Sequence, residues 1–274
     1  MATVIAGDGV TLHAEAHGAG IPVVFSCALC TTHANWRLQV DPLVAAGARV
    51  ILWDYRGHGR SDAPADSDAY SLERVMDDLG RVLDWAAPGE PAVLGGHSFG
   101  GLASLHFALR HPERVRGLLL IDSGPGFKNP KAQENWTRAT ERLALFIEKR
   151  GLRTFVEKAG ATTVGPRPEL PAARAAAEAI AAQDPAGLAS FARRVAATAP
   201  PVIDDLPSID VPALVIVGEK DEPYLRAADV MAAKLPRAEK VTVRGAGHIV
   251  NIEASEAFDA AVISFLARIS HHVS

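Results

Sequence analysis

The sequence predicts an α/β fold in which a mostly parallel sheet is flanked by helices and carries one helical insertion. Two patterns support this prediction. Short apolar runs rich in Val, Ile and Leu recur along the 274 residues, and most are continuous rather than alternating, as in strands covered on both faces. Segments with helical spacing separate these runs, and a regular alternation of strand and helix is typical of a parallel sheet.

The predicted elements follow one another in a simple order. An antiparallel edge strand over 11–17 comes first, and further strands follow at 22–26, 49–54, 92–94, 115–122, 213–218 and 240–243. Helices are predicted at 36–46, 71–86, 99–110, 225–235 and 255–269. In the second helix, apolar residues such as Leu72, Val75 and Leu79 recur at three- and four-residue intervals opposite charged ones, which indicates an amphipathic helix.

One stretch, 124–207, breaks the alternation. It contains Ala-rich helical segments and no convincing strand, and its predicted separators are Gly151, Gly160, Pro166, Pro168, Pro171 and Pro185. We interpret it as a helical cap inserted into a core formed by 1–123 and 208–274. Because the insertion leaves after one core strand and returns before another, we expect it over the carboxyl ends of the strands, where open α/β sheets bind ligands.

Composition excludes several classes of partner. The net charge is −4 and no basic run occurs, so we expect no nucleic acid partner. No apolar stretch approaches the roughly 20 residues of a membrane helix, and the first ten residues lack the pattern of a signal peptide. We expect a cytoplasmic protein, a monomer or homodimer.

The sharpest motif is Gly96-His-Ser-Phe-Gly100, which lies between a predicted strand and a predicted helix. A Gly-x-Ser-x-Gly sequence in that context is typical of a nucleophile elbow, a strained turn that presents the serine at a helix N-terminus. His97 and His58 are expected to be packed or hydrogen-bonded rather than catalytic.

A serine nucleophile needs a base, and the base needs an orienting acid. Asp221 follows the strand 213–218, and His248 follows the strand 240–243 in a loop of small residues. The order Ser98, Asp221, His248 is that of α/β-hydrolases. Alternative acids are Glu219, Glu222 and, most seriously, Asp122, which ends the strand 115–122.

These segments resemble the α/β-hydrolase fold superfamily over nearly the whole chain. The loop Asp54-Tyr-Arg-Gly-His-Gly-Arg-Ser61 and the run Gly247-His-Ile-Val-Asn251 are also similar to it. The resemblance implies that Ser98 is the nucleophile, that His248 acts as base and then acid, and that Asp221 holds the imidazole. It also implies a cap that shapes an apolar pocket. We expect no cofactor and no metal. For the loop at 54–62, a bracing role is expected for Arg56, Gly57, Gly59, Ser61 and Asp62.

The oxyanion loop departs from the superfamily's usual His-Gly-x pattern. Cys27 takes the His position, Ala28 the Gly position and Leu29 the position of the donor. The run Ser26-Cys-Ala-Leu-Cys-Thr31 is similar to the corresponding loop of the enol-lactonase subgroup. The resemblance therefore implies that the backbone N–H groups of Leu29 and Phe99 hold the oxyanion.

The two cysteines, Cys27 and Cys30, are spaced Cys-x-x-Cys with His33 close behind. Structural zinc needs four ligands and no fourth candidate lies nearby, while a redox pair would open a helix in another fold. We expect small apolar side chains in the substrate pocket, with thiols sensitive to alkylating reagents. Trp36, Phe127 and Trp136 are further pocket candidates.

The sequence thus predicts a cofactor-independent serine hydrolase that cleaves a small-to-medium carboxylic ester or lactone through an acyl-enzyme. The same residues could instead hydrolyse a C–C bond of a dienoate or carry out perhydrolysis. A substrate carboxylate would then need cations, and the insertion offers Arg138, Arg142, Arg153, Arg193 and Arg194. The third alternative is a ligand receptor without turnover, against which the intact Ser98, Asp221 and His248 argue.

Overall fold

The computed structural model describes residues 2–270, so Met1 and residues 271–274 of the predicted core, including the histidines at 271 and 272, lie outside it. Its strands are β1 Ala2–Ile5, β2 Thr11–Gly18, β3 Ile21–Ser26, β4 Ala48–Trp53, β5 Ala92–His97, β6 Val115–Ile121, β7 Ala213–Gly218 and β8 Ala238–Val243. They form one eight-stranded sheet in the order β1-β2-β4-β3-β5-β6-β7-β8. β2 pairs antiparallel with both β1 and β4, and the five pairs that follow in this order, from β4–β3 to β7–β8, are parallel.

All seven predicted strands are present, and the mostly parallel sheet is confirmed. The strand β1 was not predicted. Four residues with an exposed Thr3 and Ile5 show neither a continuous apolar run nor a turn-bounded alternation, and the segment becomes a strand by pairing with β2.

The core helices are α1 Arg37–Ala45, α2 Leu72–Ala86 and α3 Phe99–Arg110, followed after the insertion by α7 Glu222–Lys234, α8 Val250–Glu253 and α9 Ser255–Ser270. The chain passes from β3 to β4 in one direction along the sheet and from β4 to β5 in the other. Because crossovers between parallel strands are right-handed, α1 and α2 lie on opposite faces. α9 packs against α1, and α3 packs against α2. The sheet is thereby covered on both sides, which accounts for its continuous apolar strands.

Between β6 and β7 the chain forms the predicted helical insertion, with α4 Pro130–Thr163, α5 Pro171–Ala181 and α6 Pro185–Phe191, followed by a short π-helix at Ala192–Ala196. Gly151 interrupts α4 with φ 75° and ψ 166°, as a residue without Cβ can. A second departure from helical angles falls at Ala159, with φ −109° and ψ 15°, one residue before the predicted separator Gly160. Pro171 and Pro185 each occupy the first position of a helix, where the missing N–H costs nothing.

The loop after β4 braces the core. Arg56 is buried and pairs through two nitrogens with the buried carboxylate of Asp78, at 2.7 Å each, and also contacts Asp8 at 2.8 Å. Ser61 and Asp62 accept hydrogen bonds from the backbone of β2, at 2.9 and 2.8 Å. These contacts fix the loop, whose His58 contacts the backbone of Cys30 at 3.3 Å.

No helix within residues 2–270 combines the length and the apolar character needed to span a membrane.

Candidate active site

Ser98 lies at the sharp turn between β5 and α3. Its backbone has φ 53° and ψ −113°, an unusual conformation for a residue with a side chain. The turn is possible because its neighbours are glycines. A Cβ at Gly96 would lie 2.1 Å from the carbonyl carbon of Gly100, and one at Gly100 would lie 2.5 Å from the Ser26 oxygen. The strained serine thus stands at the N-terminus of α3.

Asp221 and His248 come together at the carboxyl edge of the sheet. The Nδ1 atom of His248 lies 2.8 Å from Oδ2 of Asp221, and the carboxylate is buried while the histidine side chain keeps 14% of its surface exposed. A carboxylate on Nδ1 fixes the tautomer in which Nε2 carries a lone pair. His248 is therefore prepared to accept a proton at Nε2.

Asp122, the rival acid, has a different set of partners. Its Oδ1 accepts a hydrogen bond from the N–H of Gly218 at 2.8 Å, and its Oδ2 accepts one from Val250 at 3.3 Å. Burial, together with the neighbouring charge of Asp221, raises the pKa of Asp122 well above its usual range. Asp122 thus ties the loop that carries Asp221 to the loop that carries His248. Glu219 caps the backbone N–H of Gly245 at 2.9 Å, and Glu222 is exposed.

The two histidines expected to be structural also lie near this site. His97 is buried, and its Nε2 lies 2.6 Å from the carbonyl oxygen of His248, to which it donates. Burial and the neighbouring His248 hold the pKa of His97 well below its usual value. His58 accepts the N–H of Cys30 at its Nε2, at 3.3 Å, and so braces the oxyanion loop from behind.

A tyrosine that the sequence analysis missed completes the group. The hydroxyl of Tyr224 lies 3.3 Å from Oγ of Ser98, and its ring stacks on that of His248 with centroids 4.8 Å apart and planes 26° apart. Its position was a usable signal, because a residue in the first turn of the helix after Asp221 must lie at the same edge of the sheet.

Ser98 and Tyr224 border a cavity of about 340 Å³ between the core and the insertion. Its lining is mostly apolar, and none of the described residues that form it carries a charge. The lining comprises Leu29, Ser98, Phe99, Leu102, Gly124, Gly126, Phe127, Gln133, Trp136, Ala196, Ala199, Pro223, Tyr224 and Ala227. The volume falls in the range of small-molecule sites.

The predicted oxyanion donors both belong to this lining. Phe99 is the first residue of α3, so its N–H has no acceptor within the helix. Leu29 lies on the opposite loop, which packs so closely against the elbow that only a glycine fits at position 100. Of the predicted aromatic pocket residues, Phe127 and Trp136 line the cavity, with ring centroids 5.9 Å apart.

Three predicted pocket residues do not line the cavity. Trp36 stacks on Phe25 in the core, with centroids 4.5 Å apart. The thiol of Cys27 turns away and donates to the carbonyl of Trp53 at 3.6 Å, and Cys30 is fully buried in an apolar cluster with residues of the insertion. Adjacent residues of the loop point in different directions, and Leu29 takes the place at the cavity that the cysteines were expected to share.

His33 also belongs to another group. Its Nδ1 lies 2.7 Å from Asp54, and its Nε2 lies 3.7 Å from Glu15, which His13 contacts at 3.0 Å. The ligand atoms of His13, Glu15 and His33 all lie within 4.8 Å of one another, as in a metal site. However, the Arg37 guanidinium occupies both oxygens of Glu15, at 2.7 and 2.6 Å. We therefore assign the group to a buried ion-pair network.

The arginines considered for a substrate carboxylate lie elsewhere, and none lines the cavity. Arg193 pairs with Glu141 at 2.8 Å and with Glu148 at 2.5 Å on the outside of the insertion. Arg138 pairs with Glu134, and Arg194 with Asp68.

Comparison with known proteins gives a consistent picture. Residues 21–255 match the family model described as alpha/beta hydrolase fold. A thermophilic esterase from Thermogutta terrifontis superposes with a TM-score of 0.85, at 27% identity and 98% coverage of both chains. The enol-lactonase from Burkholderia xenovorans LB400 gives 0.82, at 26% identity, covering 97% of this chain and 100% of its own.

A relative from Bacillus subtilis (strain 168) is 31% identical over 231 residues, which are 81% of this chain and 82% of its own. It is named "Putative 2-succinyl-6-hydroxy-2,4-cyclohexadiene-1-carboxylate synthase". Similar proteins of this fold thus carry names of different reactions, and the chemistry of this chain has to be argued from its own site.

Proposed function

This chain belongs to the alpha/beta hydrolase fold family, and from that premise we propose that it is a cofactor-independent serine hydrolase of small-to-medium, uncharged carboxylic esters or lactones. The observation that carries the proposal is the arrangement around Ser98. A strained serine at a helix N-terminus shares one site with a histidine whose Nδ1 is held by a buried carboxylate. The site opens on an uncharged, apolar cavity.

In the proposed reaction, Ser98 Oγ attacks the carbonyl carbon while His248 Nε2 takes its proton. The backbone N–H groups of Leu29 and Phe99 stabilise the tetrahedral oxyanion, and Asp221 stabilises the imidazolium. His248 then returns the proton to the leaving oxygen as the C–O bond breaks, which leaves an acyl-enzyme. Water, deprotonated by the same histidine, releases the acid and restores Ser98.

The cavity also favours an uncharged substrate over a carboxylated one. A buried carboxylate needs a cation or several donors to offset its lost hydration. The cavity lining supplies no Arg, Lys or His among the described residues. This argues against a dienoate C–C hydrolase and against the carboxylate chemistry in the name of the Bacillus subtilis relative.

The test is an activity screen of the wild type and the Ser98→Ala variant on nitrophenyl esters of increasing acyl length, on lactones and on a dienoate. We expect ester or lactone turnover in the wild type and a loss of at least about a thousandfold in the variant, because an activated nucleophile supplies most of the catalysis. The matched control is Ser208→Ala, which removes an exposed hydroxyl outside the cavity lining and should keep wild-type activity.

Three outcomes would contradict the proposal. Retention of most ester activity in Ser98→Ala would exclude the serine mechanism, and a dienoate kcat/KM above that of every ester would favour C–C hydrolysis. A fluorophosphonate probe that fails to label Ser98 would point to a receptor without turnover.

A further inference from the structure

Tyr224 contacts the hydroxyl of the proposed nucleophile, yet the proposed reaction gives it no role. Its hydroxyl lies 3.3 Å from Ser98 Oγ, and its ring lies flat against the ring of His248. The residue also borders the cavity. Because this phenol lies beside the attacking oxygen, it will also lie beside the substrate atoms whose bonds form and break there.

The polar side chains that line the described cavity are few. They belong to Ser98, Gln133, Tyr224 and Trp136, and the indole N–H of Trp136 donates to the carbonyl of Ala196 at 2.8 Å. The amide of Gln133 already donates to the carbonyl of Ala197 at 2.9 Å. Within the described residues, the Tyr224 hydroxyl has one hydrogen-bond partner, Ser98 Oγ. When Ser98 turns toward His248, the Tyr224 O–H becomes available to donate to a bound substrate.

Burial raises the pKa of Tyr224 above its usual value. The group therefore keeps its proton at neutral pH and acts as a hydrogen-bond donor.

The side of the serine on which Tyr224 lies indicates which substrate atom it meets. A tetrahedral intermediate carries an oxyanion and a leaving oxygen on one carbon. The oxyanion faces the backbone donors of Leu29 and Phe99, and the leaving oxygen faces His248, which must protonate it. Tyr224 stacks on His248, and so it lies on the side of the leaving oxygen.

We propose that Tyr224 is a further catalytic residue, whose hydroxyl donates a hydrogen bond to the alkoxy oxygen of the substrate as that oxygen departs. This inference rests on the proposed serine hydrolase function. The proton that completes the alcohol comes from the His248 imidazolium, the C–O bond breaks toward the alkoxy oxygen, and Tyr224 keeps its own proton. The hydrogen bond strengthens as negative charge develops on that oxygen.

The substrate class follows from this role. A nitrophenolate leaves readily without help, whereas an alkoxide is a poor leaving group that gains from every donor near it. Tyr224 therefore adapts the site to alkyl esters and aliphatic lactones rather than to activated aryl esters.

The test compares leaving groups in the wild type and in Tyr224→Phe, which keeps the stacked ring and removes the hydroxyl. For esters of one acid, we expect kcat/KM of the ethyl ester to fall about 10- to 100-fold, and that of the 4-nitrophenyl ester by a much smaller factor. A plot of log kcat/KM against the pKa of the leaving alcohol should become steeper. Since that slope is a ratio within one preparation, it does not depend on the fraction of active protein.

The matched control is Tyr70→Phe. The Tyr70 hydroxyl is also buried, but it donates to the carbonyl of Pro64 and lies outside the cavity. Its loss should leave the slope at the wild-type value. Equal losses for both esters in Tyr224→Phe, no loss at all, or a steeper slope in Tyr70→Phe would each overturn the inference.

These failures differ from failure of the serine mechanism. If the proposed function is wrong, the wild type hydrolyses neither ester or Ser98→Ala stays active. If Tyr224 alone is misassigned, Ser98→Ala is inactive and the two slopes coincide.

Discussion

At the scale of single residues, the conformation of the oxyanion loop determines how reactive its two cysteine thiols are. Cys30 adopts φ 68°, a region that residues with a Cβ rarely occupy, and its N–H is held by His58 at 3.3 Å. The thiols of both cysteines are buried. Burial raises the pKa of Cys30 to about 12 and that of Cys27 well above its usual range. The sequence-based expectation of reactive thiols is therefore reversed.

We predict that a maleimide will not modify Cys27 or Cys30 in the folded protein, because the thiolate is the nucleophile and neither thiol ionises or reaches solvent. Mass spectrometry after labelling should show no adduct in buffer and two adducts in denaturing urea. Adducts formed in buffer at the rate seen in urea, with loss of activity, would show that the loop opens.

At the scale of elements, the elbow depends on the close approach of α3 to the ends of β3 and β5. A Cβ at Gly100 would lie 2.5 Å from the Ser26 oxygen and 2.8 Å from the Cys27 oxygen, and backbone atoms cannot give way as a flexible side chain can. Gly80, in the middle of α2, has no atom within 4 Å of its Cβ position. The two glycines thus serve opposite purposes.

We predict that Gly100→Ala will lower the free energy of unfolding by about 3 kcal/mol or abolish folding, as overpacking against backbone does. Gly80→Ala should raise the same free energy by about 1 kcal/mol, because alanine favours a helix interior more than glycine does. Urea denaturation followed by circular dichroism measures both changes. A harmless Gly100→Ala would show that the elbow has room to relax.

At the scale of the whole molecule, stability depends on buried groups whose pKa values shift on folding. Burial lowers the pKa of His58 from about 6.5 to about 4. Above pH 6.5 the group is neutral in both states and has no effect. As the pH falls from 6.5 toward 4, the unfolded chain binds a proton that the folded chain does not, so stability falls. Asp122 acts in the opposite direction, because burial raises its pKa on folding. As the pH rises above 3.8, the usual pKa of an aspartate, the unfolded chain loses a proton that the folded chain keeps, so stability falls.

We predict that His58→Gln will reduce the pH dependence of stability by about 1.4 kcal/mol per pH unit between pH 6.5 and pH 4, the contribution of one proton. The glutamine oxygen can still accept the N–H of Cys30. Unfolding free energies of wild type and variant at several pH values in this range give the two slopes. Parallel slopes would show that His58 titrates normally in the folded chain.

Much of this molecule could be predicted from local pattern alone. The core strands are recognisable as continuous apolar runs. Ser98, Asp221 and His248 each follow a strand, and the carboxyl ends of these strands meet at one edge of the sheet. What could not be predicted depends on direction. Sequence spacing cannot predict that Leu29 faces the cavity while Cys27 and Cys30 face the core, because side-chain direction in an irregular loop follows no regular periodicity. Tyr224 was missed for a different reason, since no pattern of nucleophile, acid and base requires it.

The two ends of the insertion lie on β6 and β7, which are neighbouring strands paired from Leu118 and Ala213 to Ile121 and Ile216. None of the groups that would attack, protonate or assist departure belongs to the inserted segment. That segment supplies the other wall of the cavity, which comprises Gly124, Gly126, Phe127, Gln133, Trp136, Ala196 and Ala199. Evolution could therefore replace, shorten or substitute residues of the insertion and change which substrate binds, while the catalytic residues stay unchanged. Substrate selectivity and reactivity thus depend on different parts of the chain. A chimera that carries a relative's insertion should show the substrate range of that relative and the leaving-group dependence of this chain.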